Sequence, residues 1–140
     1  MVPFKFRLQK ALEHRESLEE EAKKQLQFAV TKRAAQEEAI RERQEQWIAY
    51  AARRRPNNPQ ELTERERFLT GLEREIERLK NELDILLGEE REARDAYLER
   101  RRDCETLEKL KEREQEAHAV AARRWEHRQS DEAIAQRRAA

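Results

Sequence analysis

The side chains with intrinsic reactivity are few, and they stand apart. His14, His118 and His127 are not spaced as an i, i+4 ligand pair, and Cys104 is the single thiol of the chain. A zinc-type site needs three or four such ligands converging on one point. No metal is expected, and solvated or seam-lining places are expected for all four residues. Carboxylates are plentiful, but many pair with arginine at i, i+4 along one solvated surface, which singles out no acid–base couple. Gly71 and Gly88 are isolated within helical pattern, so no glycine loop cradles a phosphate. Arg53 to Arg55 and Arg100 to Arg102 could meet phosphates, yet the 31 basic residues are balanced by 31 acidic ones, finely mixed. Solvated charge is the expected role of both clusters. No catalytic residue and no cofactor emerge, and an enzyme is not expected.

What could position functional side chains is therefore a scaffold, and composition names its kind. Of 140 residues, 44% are charged and 36% hydrophobic, many of the latter alanine. That is too few large apolar side chains for a compact globular core. Disorder would show no periodicity, whereas this chain is periodic and rich in Ala, Leu, Glu, Arg, Lys and Gln, as long helices are. The charge balance argues against nucleic acid and anionic lipid as partners. A lone cysteine suits a reducing cytoplasm, no apolar stretch could span a bilayer, and "MVPFKFRLQKALEH" has no apolar core of a secretory signal.

The second half carries the cleaner pattern. Leu69, Ile76, Leu83, Glu90, Tyr97 and Cys104 recur every seven residues, with Leu72, Leu79, Leu86, Ala93, Arg100 and Leu107 three residues on. This is the a/d seam of a left-handed coiled coil. Leu110 leaves that register, which predicts a stutter near Leu107 to Leu110. The first half is less regular. Phe4, Leu8, Ala11, Leu18, Ala22 and Ala29 fit one phase, and Leu26, Val30, Ile40, Trp47 and Ala51 another, with glutamine and arginine at several nominal core positions.

Between the halves lies "ARRRPNNPQELTERERF". Pro56 disfavours helix at Arg55, and Arg53 to Arg55 suit the negative end of a helix dipole. Asn58–Pro59 reads as an N-cap and first helical position, with Glu61 placed for a capping box and Thr63 and Glu66 as a second possible start. A stop and a start this close join antiparallel neighbours. Folding at Asn58 sets Trp47 opposite Leu69, Ile40 opposite Ile76, Val30 opposite Leu86 and Leu8 beside Leu107. The expected fold is all-α: one long antiparallel two-helix coiled-coil hairpin domain over residues 1–140. Its helices cover about 4–54 and 59–136, and the turn about 55–58. At 1.5 Å per residue the first helix runs out opposite roughly Lys111. The C-terminal helix then overhangs, carrying Val120, Trp125 and Ile134 without a partner helix in the chain, and Trp125 is a candidate partner contact. Trp47 and Tyr50 read as a plug for the turn end.

The two ends add a resemblance. "FKFRLQKALEHRESLEEEAKKQL" resembles the opening of the FliJ family of the flagellar type III export apparatus, at Phe4, Phe6, Leu8, Gln9 and Leu12 and on through Glu20, Ala22 and Leu26. "LEKLKEREQEAH" and "SDEAIAQRR" are similar to the family's ending, at Leu107, Leu110, Lys111, Asp131, Glu132 and Arg137. The resemblance implies a non-catalytic stalk, similar in architecture to the gamma subunit of rotary ATP synthases. It would stand in the hexameric export ATPase by the end holding both termini, promote ring assembly and activity, link the ring to the export gate protein FlhA, and handle export chaperones. It implies a cytoplasmic place, at the inner face of the membrane through the apparatus only. Phe4, Phe6, Leu8, Trp125, Asp131 and Glu132 become the expected ring contacts. A virulence-type secretion stalk, a generic structural coiled coil and a nucleic-acid-binding arm are the alternatives.

Overall fold

The computed structural model describes residues 2–139, and these form two α-helices and no strand. Helix α1 covers Gln9–Ala51, 43 residues, and α2 covers Pro59–Ala139, 81 residues. The two pack against each other. Their ends follow from local chemistry. The Asn58 side-chain oxygen accepts the Gln60 amide at 2.9 Å and the Asn58 carbonyl accepts Leu62 at 3.0 Å, so Asn58 caps α2 with Pro59 in the first turn. At the far end of α1, Ala52 still bonds to Ile48 and Arg53 closes a tighter turn onto Tyr50.

The start of α1 differs from expectation. Residues 2–6 are not helical, and the helix begins at Gln9, where the Gln9 amide meets the Phe6 carbonyl at 3.1 Å. Apolar and charged side chains alternate through Phe4, Lys5, Phe6, Arg7 and Leu8, and burial alternates with them. A period of two belongs to extended chain, and Pro3 supplies no amide for a helical ladder.

The chain divides into two compact units. One takes the residues up to Glu21 together with those from Leu98 onward; the other is Ala22–Tyr97. In the second, α1 turns Ala22, Leu26, Ala29, Arg33, Gln36, Ile40, Arg43, Trp47 and Tyr50 away from solvent. From α2 it receives Leu69, Leu72, Ile76, Leu79, Leu83, Leu86, Glu90, Ala93 and Tyr97. Both series step by three and four in alternation, the spacing of a heptad seam. Ala22 and Ala29 of one expected phase thus share a register with Leu26, Ile40 and Trp47 of the other, whereas Val30 and Ala51 flank it half-buried, as Leu18 does in the other unit, and Ala11 is exposed. Arg33, Gln36 and Arg43 occupy seam positions where the sequence pattern looked broken.

In the other unit Leu8, Leu12, Arg15 and Glu19 face α2, with Cys104 and Leu107 buried and Lys111, Glu114 and His118 half-buried. The same spacing continues past Leu107, and Leu110 flanks it. The expected stutter is absent among the described residues, because long polar stems at Lys111 and Glu114 cover the seam as an apolar residue would.

Candidate functional site

Cross-helix polar contacts give each unit its register. Arg33 donates to both oxygens of Glu90, at 2.9 and 3.5 Å, and Arg94 reaches the same carboxylate at 3.2 Å. Gln36 donates to the Leu79 carbonyl at 3.0 Å and to Glu82 at 3.1 Å. Arg43 meets Glu75 at 3.0 Å, and the Trp47 indole meets Glu73 at 3.1 Å. As residue numbers rise on α1 they fall on α2. Glu90 is 6% exposed. The Arg33 hydrogen bond holds its carboxyl below the usual glutamate range, against the opposing effect of desolvation.

The unit holding both ends is built likewise. Arg15 donates to the Asp103 carbonyl at 2.9 Å, Arg101 lies 3.4 Å from Glu19, and Lys111 donates to Gln9 at 2.9 Å. Cys104 is fully buried beneath this layer. Desolvation first, then the hydrogen bond with Glu19, pushes its thiol up to about 11. Buried and carrying little thiolate at neutral pH, Cys104 fits a packing role. Phe6, Leu12 and Leu107 form a small core, with Phe4, Leu8 and Leu110 packed against it. The Phe4 ring meets His118 edge-on at 5.6 Å, and a His118 ring nitrogen lies 2.9 Å from the Val2 carbonyl. Intramolecular pairing therefore reaches His118, seven residues beyond the Lys111 limit expected for α1.

Among the expected ring contacts, Phe4, Phe6 and Leu8 come together, but Phe6 is 7% exposed and serves as core. Trp125 is 44% exposed, and Asp131 and Glu132 are exposed on the same stretch of α2. Glu132 follows Trp125 by two helical turns and shares its face; Asp131 lies off that face. Of the expected seam, Ile40, Leu72, Leu79 and Leu107 are buried, and Trp47, Leu69, Ile76, Leu83, Leu86 and Tyr97 half-buried.

At the turn end the ring of Tyr50 meets that of Phe68 at 4.3 Å, and the Arg53 guanidinium lies 4.9 Å from the Tyr50 ring. Arg65 donates to the Ala51 carbonyl at 2.7 Å, satisfying the exposed end of α1 where the dipole favours a cation. Sequence reasoning had given that role to Arg53 to Arg55. A residue on the opposite helix leaves no local signal, since only the fold brings it there.

A model of the flagellar FliJ protein family matches residues 4–140. The chain belongs to the FliJ family. No curated protein and no solved structure gives a significant match. Membership makes it a flagellar export-related protein. The matched stretch covers both helices. Among the described residues, no helix is long and apolar enough to cross a membrane.

Proposed function

We propose that the protein is a non-catalytic stalk and coupling component of the flagellar type III export apparatus. In this reading it is an antiparallel coiled-coil hairpin that inserts in the hexameric export ATPase ring, promotes its assembly and activity, and links it to the export gate protein FlhA. Export chaperones are further partners, and the site of action is the cytoplasmic face of the inner membrane.

The observation that carries the reading is the bare end of α2. Every described residue from Arg123 to Ala139 is exposed, including Trp125 and Ile134. A helix with no covered face gains little from tertiary packing, so its apolar side chains have a purpose outside the paired region. Trp125 supplies apolar area for a ring loop, and Glu132 on the same face pairs with a basic loop residue. Asp131 does so from the adjoining side. Phe4 and Leu8 offer edges at the base of the tail, with Phe6 holding them from beneath.

Truncation after Ala122 tests this. It leaves the N-terminal core and the His118 contacts intact, so the shortened chain unfolds at the temperature of the full one by circular dichroism. It loses stimulation of the purified ATPase and does not restore motility to a null strain. Full stimulation by the truncated chain would defeat the tail assignment and favour the turn end, near Trp47 and Phe68.

A further inference from the structure

We propose that the tail of one molecule docks on a second copy, in an acidic-rimmed groove of the Ala22–Tyr97 unit. The groove, about 530 Å³, lies between α1 and α2 and is lined by Gln44, Trp47, Ile48, Glu73, Ile76 and Glu77. Its walls are apolar. Ile48 is 62% exposed there, the most uncovered of the lining apolar side chains. Glu73 and Glu77 stand one helical turn apart on its rim, and no basic side chain lines it.

The tail carries the complementary face. Ala117, Val120, Ala121, Arg124 and Arg128 line one shallow depression on α2, with Arg113 and Glu116 at its other end. Their spacing sets them along a single helical face. Small apolar residues lead into two arginines one turn apart. Among the described residues neither Arg124 nor Arg128 has an ion-pair partner. Two carboxylates at i, i+4 and two guanidiniums at i, i+4 share a rise of about 6 Å, so both pairs can form together. The small Ala117 and Ala121 let the tail lie close over Ile48, and Val120 meets Trp47 or Ile76.

The rim selects the occupant. Two carboxylates repel acidic helices and nucleic acid, and accept a helix that brings arginine beside small apolar residues. This chain has such a helix. Glu73 and Glu77 on the rim and Arg124 and Arg128 on the tail all belong to α2, one unbroken helix that cannot double back on itself, so the tail that fills a groove comes from another molecule. The contact is heterologous, one surface against a different one. Its ion pairs are exposed, which makes association weak and sensitive to salt. The inference goes beyond the ring reading and does not depend on it, since Trp125, Asp131 and Glu132 take no part.

Sedimentation velocity of the full chain, over a range of concentration and salt, provides the test. The average mass rises above that of one chain with concentration at low salt and returns toward it at high salt. Charge reversal in the tail, Arg124→Glu with Arg128→Glu, weakens association roughly tenfold or more, as does Glu77→Arg in the groove. Glu77→Arg spares the bond between Trp47 and Glu73, and circular dichroism checks that each variant keeps its helix content. Mixing the two reversed proteins restores association that neither shows alone. A parent that sediments as one chain throughout, reversed variants that associate like the parent, or a mixture that stays monomeric would each overturn the proposal.

Discussion

Glu90 occupies a position where a coiled-coil seam ordinarily holds leucine, and it is nearly enclosed. Its charge survives there because Arg33 and Arg94 both reach it. Such a pair contributes register more than stability, since apolar residues of similar volume often do as well energetically. Its pH behaviour has a definite sign. The folded carboxyl titrates below an ordinary glutamate, so in acid the unfolded chain binds more protons than the folded one. The contribution is complete at neutral pH and is lost as pH falls through the folded value. Thermal unfolding of the parent and of Glu90→Gln should therefore differ most near pH 7 and converge in acid. An equal gap at pH 7 and pH 3 would mean that the carboxylate charge contributes nothing.

At the scale of the helices, legibility tracked side-chain type. The α2 seam is visible in sequence because Leu69, Leu72, Ile76, Leu79, Leu83 and Leu86 are unambiguous apolar markers. The α1 seam is not, because Arg15, Glu19, Arg33, Gln36 and Arg43 hold core positions with their stems while their heads reach across. The period of two at Phe4, Phe6 and Leu8 was available as a sign of extended chain, but it is short and abuts a strong helical pattern. The exposure of Trp125 follows from simple arithmetic on helix lengths; the reach of residues 2–6 to His118 required the fold. Two local substitutions test the helix account with opposite signs. Gly71 has an ordinary backbone and open space where the methyl of an alanine would sit, as does Gly88. Gly71→Ala should raise stability by about 0.5–1 kcal/mol, and Asn58→Ala should lower it by about 1 kcal/mol through loss of the cap. Urea unfolding measures both, and a destabilising Gly71→Ala would mean that the backbone there is not regular helix.

For the molecule as a whole, stability is distributed unevenly along α2. Residues facing α1 are secured by apolar burial and by cross-helix bonds, while Arg123 to Ala139 have only their own helical ladder. Most helical stability in proteins comes from tertiary packing, which this stretch lacks. Amide hydrogen exchange should therefore be slowest around Leu72, Leu79, Cys104 and Leu107, and fastest beyond Arg123. Uniform protection to the end of α2 in the free protein at low concentration would contradict this. The polar contacts across the seam have a mechanical consequence as well. Leucine surfaces can slide past one another by a heptad and find equivalent partners. A seven-residue slip here would carry Arg33 from Glu90 to Leu83 or Tyr97, and would take Arg43 away from Glu75 and the Arg65 guanidinium off the Ala51 carbonyl. Within each unit the two helices are therefore pinned against shear, and a load applied along one of them passes to the other instead of drawing them apart lengthwise.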